Sequence, residues 1–234
     1  MDTGNSWWYF TKALTPEQCQ DIVDLGEIVV AARGKKEGAI DGWEDDRTHK
    51  PVLNKDYRVC DIGWFNDRWV YDLIFPFVHT ANESAGWNYQ WDFGESFQYT
   101  MYPEGGFYKW HTDQGMSCNM GRYVWDEENM GEIPTTHSPI APCITHNPTN
   151  EIQLHGKIRK LSLTLNLDEP ESYDGGDLEF AIGARAKNRF QTIDEIKPQG
   201  SLVVFPSYTY HQVKKVTKGN RRSLVLWCCG EPYR

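Results

Sequence analysis

The sequence lacks three features that would each indicate a particular class of protein: a long apolar run, a C-x-x-C cysteine pair and an excess of basic residues. A membrane-spanning helix needs about 20 apolar residues, so we expect none here. The first residues do not combine a basic stretch with an apolar run, so we expect no secretory signal peptide. With 24 Lys and Arg against 33 Asp and Glu, the net charge of −9 argues against binding to nucleic acid or to an anionic membrane.

The cysteines do not follow the spacing of a zinc or redox motif. The six are Cys19, Cys60, Cys118, Cys143, Cys228 and Cys229. Because 39% of the 234 residues are hydrophobic and 14% are aromatic, the chain can bury a core without disulfide bonds. We therefore expect reduced thiols and a cytoplasmic protein.

The pattern of predicted elements changes from helices to strands along the chain. Short strands are predicted over 7–11 and 57–65. One helix begins at Thr15, which can form a capping box with Gln18, and a second covers 67–84, where Pro76 should kink or shorten it. Later strands are predicted at about 95–102, 107–113, 158–167, 177–182, 190–195, 201–205, 210–216 and 221–229.

These elements predict a mainly β fold with supporting helices, namely a double-stranded β-helix (jelly roll) with the N-terminal helices packed on one sheet. We expect one domain over residues 1–234, with N-terminal helical support over 1–94 and the jelly-roll core over 95–229. Residues 114–156 have no clear periodicity and are expected to form an inserted loop or lid. A second metal site in that segment is a minor alternative, because no zinc template fits its candidates, which are Cys118, His137, Cys143, His146 and His155.

His111, Asp113 and the distant His211 are the candidate metal ligands. Residues i and i+2 of a strand share a face, so His111 and Asp113 should point together into the jelly roll, with Thr112 pointing away. Two His and one carboxylate leave about three coordination positions open, as in non-haem Fe(II) oxygenases. An H-x-D pair alone also occurs by chance as a surface or core polar pair, so the wider order of motifs must decide.

Three further motifs accompany these residues. They are Tyr102-Pro103-Glu104-Gly105-Gly106, Tyr173-Asp174-Gly175-Gly176-Asp177 and Gly219-Asn220-Arg221-Arg222-Ser223. In this order the chain resembles the Fe(II)/2-oxoglutarate-dependent dioxygenases of the prolyl 4-hydroxylase-like branch, over most of residues 95–229.

The resemblance implies that His111, Asp113 and His211 bind Fe(II). It also implies that Arg221 pairs with the distal carboxylate of 2-oxoglutarate, with Ser223 on the same face. Tyr102 matches a tyrosine that often contacts the co-substrate, although a packed core tyrosine is the alternative. Arg222 is expected to face solvent. Several relatives carry a tyrosine where this chain has Asn166, which leaves Thr164 and Asn166 as candidates to complete the carboxylate pocket.

The activity implied by the resemblance is hydroxylation of a prolyl or related peptidyl or amino-acid side chain, with decarboxylation of 2-oxoglutarate to succinate. Ascorbate is a further candidate cofactor. Asp113 argues against halogenation, because halogenating relatives have a small residue at that position. Two alternatives stay open: the same chemistry on a nucleobase or small molecule, and a non-catalytic metal-binding jelly roll. The expected partners are a peptide, protein or small-molecule substrate, and the oligomeric state is left open.

Overall fold

Two β-sheets face each other, and two helices cover the outer face of the larger sheet. The structure is a computed structural model that describes residues 5–33, 55–114, 117–121, 145–149, 154, 156–182 and 190–233. The helices are α1 (Pro16–Arg33) and α2 (Arg68–Ser84). The strands are β1 (Trp8–Phe10), β2 (Arg58–Val59), β3 (Asp61–Phe65), β4 (Phe93–Gly94), β5 (Phe97–Tyr102), β6 (Phe107–His111), β7 (Ser117–Gly121), β8 (Thr145–Thr149), β9 (Ile158–Asn166), β10 (Asp174–Gly175), β11 (Leu178–Ala181), β12 (Phe190–Thr192), β13 (Leu202–Pro206), β14 (His211–Val213), β15 (Val216–Lys218) and β16 (Arg221–Gly230).

The larger sheet has the strand order β1-β13-β9-β16-β5-β3, with β4 paired to β16, and the smaller sheet has the order β12-β11-β14-β6-β2. The strands pair antiparallel within both sheets. Two small pairs lie apart, namely β10 with β15 and the parallel pair β7 with β8. This arrangement confirms the predicted jelly roll. No helix in the described part of the chain has the length and apolar character to span a membrane.

The central strand β9 shows how the sequence divides the molecule into two layers. Its leucines, including Leu161 and Leu165, belong to the core that also contains Ile74 of α2 and Ile22 of α1. The alternate residues are polar and equally buried, and they include Ser162 and Thr164. Because side chains alternate across a strand, one face of β9 packs under the helices and the other faces the smaller sheet.

Helix α1 begins with the predicted capping box and lies directly on β5. The Thr15 backbone N–H donates to Gln18 Oε1 at 2.9 Å, and the Gln18 backbone N–H donates to Thr15 Oγ1 at 3.3 Å. Further along, a Cβ on Gly26 would lie 2.4 Å from the Tyr99 ring, so only glycine permits this close approach. The Tyr99 hydroxyl donates to Glu27 Oε1 at 2.8 Å, and this hydrogen bond also holds the tyrosine of β5 against α1.

Several predicted boundaries were wrong. Helix α2 covers nearly the whole predicted range and continues past Pro76 to Ser84, so the proline does not shorten it. Strand β6 ends at His111 rather than at 113, and the predicted strand over 210–216 is divided into β14 and β15. The chain after Thr192 turns into a short 3-10 helix, Asp194–Ile196, instead of continuing the strand. Most of the 114–156 segment, including the alternative metal site, lies outside the residues whose side chains are described.

Arg222 is half-buried and paired, which corrects the expectation that it faces solvent. Its side chain donates to Asp168 Oδ1, with Nε at 2.7 Å, and its backbone N–H donates to Asp168 Oδ2. Asp168 is 2% exposed and lies just beyond the end of β9. The pair therefore joins the first residues of β16 to the turn after β9 through a desolvated carboxylate.

We predict that Arg222→Met lowers the free energy of unfolding by about 3 kcal/mol or more, because it leaves the buried Asp168 carboxylate without its cation. The matched control is Arg68→Met, which removes an Arg–Asp pair whose side chains are 87% and 62% exposed. An exposed i,i+4 pair contributes little to the free energy of unfolding. Urea denaturation of both variants measures the difference, and equal small losses would contradict the role given to Arg222.

Candidate metal and carboxylate site

The two predicted histidine ligands meet across neighbouring strands of the smaller sheet. His111 ends β6, His211 begins β14, and the register of the two strands pairs them directly. Their ring centroids lie 4.2 Å apart. Both rings face the space between the sheets, where they line one pocket with Asp113.

Hydrogen bonds fix the tautomer of both imidazoles. His111 Nδ1 lies 2.7 Å from the Lys109 carbonyl oxygen, and His211 Nδ1 lies 2.8 Å from the Thr209 carbonyl oxygen. A carbonyl oxygen can only accept, so each Nδ1 carries the proton. Burial, together with the neighbouring His211, lowers the pKa of His111 to about 3. His111 Nε2 therefore holds a free lone pair at neutral pH, which is the state a metal ligand requires.

Asp113 completes the cluster from a bend, not from the strand. Asp113 Oδ1 lies 3.6 Å from His111 Nε2, and Asp113 Oδ2 lies 3.8 Å from His211 Nε2. Burial opposes ionisation of Asp113, but the nearby His211 and His111 hold the pKa of its carboxyl below the ordinary value. The three ligand atoms lie within 4.8 Å of one another. Two imidazole nitrogens and one carboxylate fit a divalent ion with open positions, as in Fe(II) oxygenases.

A buried network holds the backbone on which Asp113 sits. The N–H groups of Asp113 and Gln114 both donate to the Ser207 carbonyl oxygen at 2.9 Å. Arg159 Nη1 lies 3.4 Å from the Asp113 carbonyl oxygen. The Arg159 guanidinium is fixed in turn by two bonds to Glu95, at 2.6 and 2.7 Å. Sequence reasoning missed this network, because each of these hydrogen bonds joins residues 46 or more positions apart and none belongs to a motif.

Arg221 provides a buried positive charge in the same pocket. It is 3% exposed, and among the described residues its guanidinium has no hydrogen-bond or carboxylate partner. Its nearest ring contact is Tyr102, whose centroid lies 5.7 Å from Arg221 Cζ. Arg222, on the opposite face of β16, takes the available carboxylate of Asp168. A desolvated guanidinium without an acid is costly, so the pocket fits an anionic ligand at Arg221.

Three of the four other predicted co-substrate contacts line this pocket, namely Tyr102, Ser223 and Thr164. Burial, and secondarily Cys60, raises the pKa of Tyr102 to about 12, so its hydroxyl remains a hydrogen-bond donor at neutral pH. Asn166 is placed elsewhere, which is a correction. Its Nδ2 donates to the carbonyl oxygens of Asp168 and Lys197, at 2.9 and 2.7 Å, so Asn166 fixes a turn rather than a ligand.

The pocket also contains side chains that the sequence did not single out. Tyr108 stacks on His111, with ring centroids 3.6 Å apart and an interplanar angle of 20°. The Arg58 guanidinium packs against the Tyr108 ring, with Cζ 4.5 Å from the ring centroid. Gln98 and Trp227 line the pocket as well. The alternation along β5 and β16 places Gln98 and Trp227 on the face toward the pocket, but nothing in the sequence distinguished these two residues from ordinary core residues.

Comparison with known proteins agrees with this geometry. The sequence profile of the 2OG-Fe(II) oxygenase superfamily matches residues 97–229, which is more than half of the chain. The chain belongs to this superfamily. Its name specifies Fe(II) and 2-oxoglutarate, and the matched range includes the three candidate ligands and Arg221.

Curated relatives of this oxygenase match over shorter stretches. A PKHD-type hydroxylase from Hyphomonas neptunium is 45% identical over 67 residues, which are 29% of this chain and 27% of that protein. A PKHD-type hydroxylase from Pseudomonas fluorescens is 30% identical over 100 residues, which are 38% of this chain and 42% of that protein. The matches therefore span less than half the length of these relatives.

Solved structures share the fold over nearly the whole chain. A prolyl-4-hydroxylase from Pseudomonas putida has a TM-score of 0.61 and 16% identity, covering 97% of this chain and 93% of its own. A prolyl hydroxylase from Trichoplax adhaerens, solved with a peptide fragment of hypoxia inducible factor, has a TM-score of 0.59 and 15% identity, covering 96% and 83%. At these identities the likeness establishes the jelly roll.

The Gly175-Gly176 turn explains how the oxygenase makes room for Arg221. Gly176 has a φ of +64°, and a Cβ there would lie 2.7 Å from Arg221 Cδ. The sequence marks this dipeptide only as a turn. The structure adds that the second glycine lies against the side chain of Arg221, so its missing Cβ leaves the guanidinium free to extend into the pocket.

We predict that Gly176→Ala weakens 2-oxoglutarate binding by roughly tenfold or more, because Arg221 must move and a charge-assisted contact is lost. Gly86→Ala is the matched control: Gly86 has a φ of +77°, but nothing lies within 4 Å of a Cβ there. Both variants carry a backbone strain of about 1 kcal/mol. Calorimetric titration of the zinc-loaded proteins with 2-oxoglutarate separates them, and equal affinities would refute the steric role.

Proposed function

We propose that this chain is an Fe(II)- and 2-oxoglutarate-dependent hydroxylase that acts on a prolyl or related peptidyl or amino-acid side chain. The observation that carries the proposal is one pocket that combines a two-His-one-Asp cluster with the buried, unpartnered guanidinium of Arg221. Family membership and the names of the relatives, which are PKHD-type hydroxylases, support the same activity. Prolyl hydroxylases among the structural neighbours support the substrate class.

The proposed roles follow from the geometry. Nε2 of His111 and of His211 and the carboxylate of Asp113 would hold the iron, while the Nδ1–H group of each histidine donates to the carbonyl oxygen of Lys109 or Thr209. When bound, iron and 2-oxoglutarate would supply the chemistry that reduces dioxygen: one oxygen atom of O2 enters a substrate C–H bond and the other enters succinate, which forms as 2-oxoglutarate loses carbon dioxide. Because a carboxylate occupies the third ligand position, hydroxylation is expected and halogenation is not.

Arg221 would bind the distal carboxylate of 2-oxoglutarate in a bidentate manner. Tyr102, Ser223 and Thr164 offer hydroxyl groups in the same pocket. Apolar side chains, including Phe205 and Val225, line the remaining surface and exclude water from the reacting atoms. The chain thus positions its ligands and keeps the pocket dry, while the co-substrate and metal provide the reactivity.

The domain organisation, the cellular location and the class of partner are also proposals. We infer a single domain over 1–234, with segment 114–156 as an inserted loop or lid. Cys19, Cys60, Cys228 and Cys229 are free and buried, which supports a reducing, cytoplasmic location. The partner would be a peptide, protein or small molecule. The net charge of −9 argues against a nucleic-acid substrate, so hydroxylation of a nucleobase is the weaker alternative.

We predict that the protein releases succinate from 2-oxoglutarate in the presence of Fe(II) and ascorbate, and adds one oxygen atom to a substrate found by screening proline-containing peptides and amino acids by mass. His111→Ala and His211→Ala should lower turnover at least 100-fold, because each removes a metal ligand. Arg221→Met should raise the KM for 2-oxoglutarate more than tenfold. His79→Ala, which changes a histidine stacked on Trp91 of the helical layer, should change neither.

Two results would contradict this proposal. Turnover that survives in both histidine variants would show that the site is assigned to the wrong residues. If the protein binds Fe(II) but releases no succinate with any of the screened peptides or amino acids, the non-catalytic metal-binding jelly roll is favoured.

A further inference from the structure

One wall of the pocket carries hydrogen-bond donors that nothing in the described structure satisfies. Gln98 of β5 is 2% exposed and Trp227 of β16 is 5% exposed, and both line the pocket. Gln98 Nε2 and Trp227 Nε1 are the two buried side-chain polar atoms without a hydrogen-bond partner among the described residues. Because folded proteins satisfy nearly all such groups, an orphan pair in a ligand pocket indicates a ligand with acceptor atoms.

The hydrogen bonds of Gln98 fix which end of its amide faces the pocket. Gln98 Oε1 accepts from Arg58 Nη2 at 2.7 Å and from Thr100 Oγ1 at 3.2 Å. A guanidinium has no acceptor atom, so the amide cannot be reversed without placing two donors against each other. The NH2 group of Gln98 is therefore held away from Arg58, and both of its N–H bonds are available.

Trp227 is placed to act with Gln98 on the same ligand. Gln98 pairs with Val225 in the sheet, and Trp227 is the next residue of β16 on the same face. Such diagonal neighbours lie about 7–8 Å apart, within reach of one small ligand. The indole is held by Arg159, whose Cζ lies 3.9 Å from its centroid, and by Trp64 at 5.8 Å. A clamped indole presents its N–H without reorganisation.

This wall is distinct from the end of the pocket that Arg221 occupies. Val225 lies four residues beyond Arg221 on the same strand, which is about 13 Å of backbone. The side chains that line the pocket include two guanidinium groups, on Arg58 and Arg221, and one carboxylate, on Asp113. Gln98 and Trp227 direct N–H groups and no acceptor atom toward this wall, so the wall favours an anion over a cation.

We propose that Gln98 and Trp227, with Arg58 behind them, bind a free carboxylate of the substrate that is hydroxylated. The inference rests on the proposed function and narrows its substrate class. The substrate would be a free or N-acylated amino acid or the terminal residue of a peptide, rather than an internal residue of a chain. Three N–H donors and a nearby guanidinium suit the two oxygens of a carboxylate, whereas an internal peptide group offers one carbonyl oxygen to this wall.

The test uses the full-length protein loaded with Zn(II) and 2-oxoglutarate and labelled with 15N on its indoles. The probes are N-acetyl-L-proline against N-acetyl-L-prolinamide, and acetate against acetamide as a smaller pair. We expect both carboxylates to shift the Trp227 indole N–H resonance, which is the one missing from Trp227→Phe. Each amide should bind roughly tenfold more weakly than its acid, because the charge-assisted bonds are lost.

Two pocket variants and two matched controls complete the test. Gln98→Met and Trp227→Phe should reduce carboxylate affinity about tenfold and remove the preference over the amide, with 2-oxoglutarate affinity unchanged. Gln20→Met on exposed α1 and Trp69→Phe on α2, where Trp69 is 39% exposed, make the same substitutions outside the pocket, and should retain both the affinity and the preference.

Two outcomes would overturn the inference. If 2-oxoglutarate alone shifts the Trp227 indole and Gln98→Met weakens its binding, the donors serve the co-substrate. If no carboxylate shifts the resonance, the donors bind water only. Calorimetric binding of 2-oxoglutarate to the same zinc-loaded sample is measured first. If 2-oxoglutarate does not bind, the proposed function is contradicted. If 2-oxoglutarate binds and either of the two outcomes above is observed, only the carboxylate subsite is contradicted.

Discussion

The antiparallel pairing of β6 with β14 sets His111 directly opposite His211, and the remainder of the site depends on that register. Because side chains alternate along a strand, a slip of one residue would turn either imidazole out of the pocket. The carbonyl oxygens two residues before each histidine then hold the Nδ1 protons and direct both Nε2 atoms inward. Asp113 reaches the same point only because the chain leaves β6 after His111 and bends toward Ser207.

Two adjacent arginines of β16 have different roles: Arg222 stabilises the fold, and Arg221 faces the ligand pocket. Arg222 faces the helical layer and is neutralised by the buried Asp168. Arg221 faces the pocket, and no described carboxylate pairs with it. One strand therefore carries two adjacent guanidinium groups with opposite functions, and Gly176 keeps the space that the inward one needs. The desolvation cost of Arg221 is offset once an anion binds, which makes the pocket selective for acids.

Much of this arrangement follows from local patterns in the sequence. The alternation of β9, the capping box of α1 and the H-x-D spacing each depend on neighbours within four residues and could be predicted locally. The jelly roll and the addition of His211 to the metal cluster also needed the order of motifs that resembles the dioxygenase family. Strand parity placed Arg221 and Arg222 on opposite faces of β16 and the family pattern selected Arg221, but neither could show that Asp168 would pair with Arg222. Asn166 had the right parity for the pocket, and failed as a ligand because carbonyl groups of two loops occupy its amide.

The parts that could not be predicted depend on contacts between distant segments. Arg58 meets Gln98 across 40 residues, and Arg159 meets Glu95 across 64. Neither pair belongs to a motif, and each residue alone resembles an ordinary polar strand position. Their roles follow from which strands are neighbours and which faces meet. Strand neighbours and facing surfaces depend on the sheet order, which a local sequence pattern does not specify.

The most direct test of the site is anaerobic addition of Fe(II) and then 2-oxoglutarate to the protein, followed by visible absorption spectroscopy. A chelated 2-oxo acid on Fe(II) gives a charge-transfer band that neither component gives alone. We predict this band at one iron and one 2-oxoglutarate per chain, its loss in Asp113→Ala, and a higher 2-oxoglutarate requirement in Arg221→Met. A band of full intensity in Asp113→Ala would contradict the assignment of this pocket as the iron and co-substrate site.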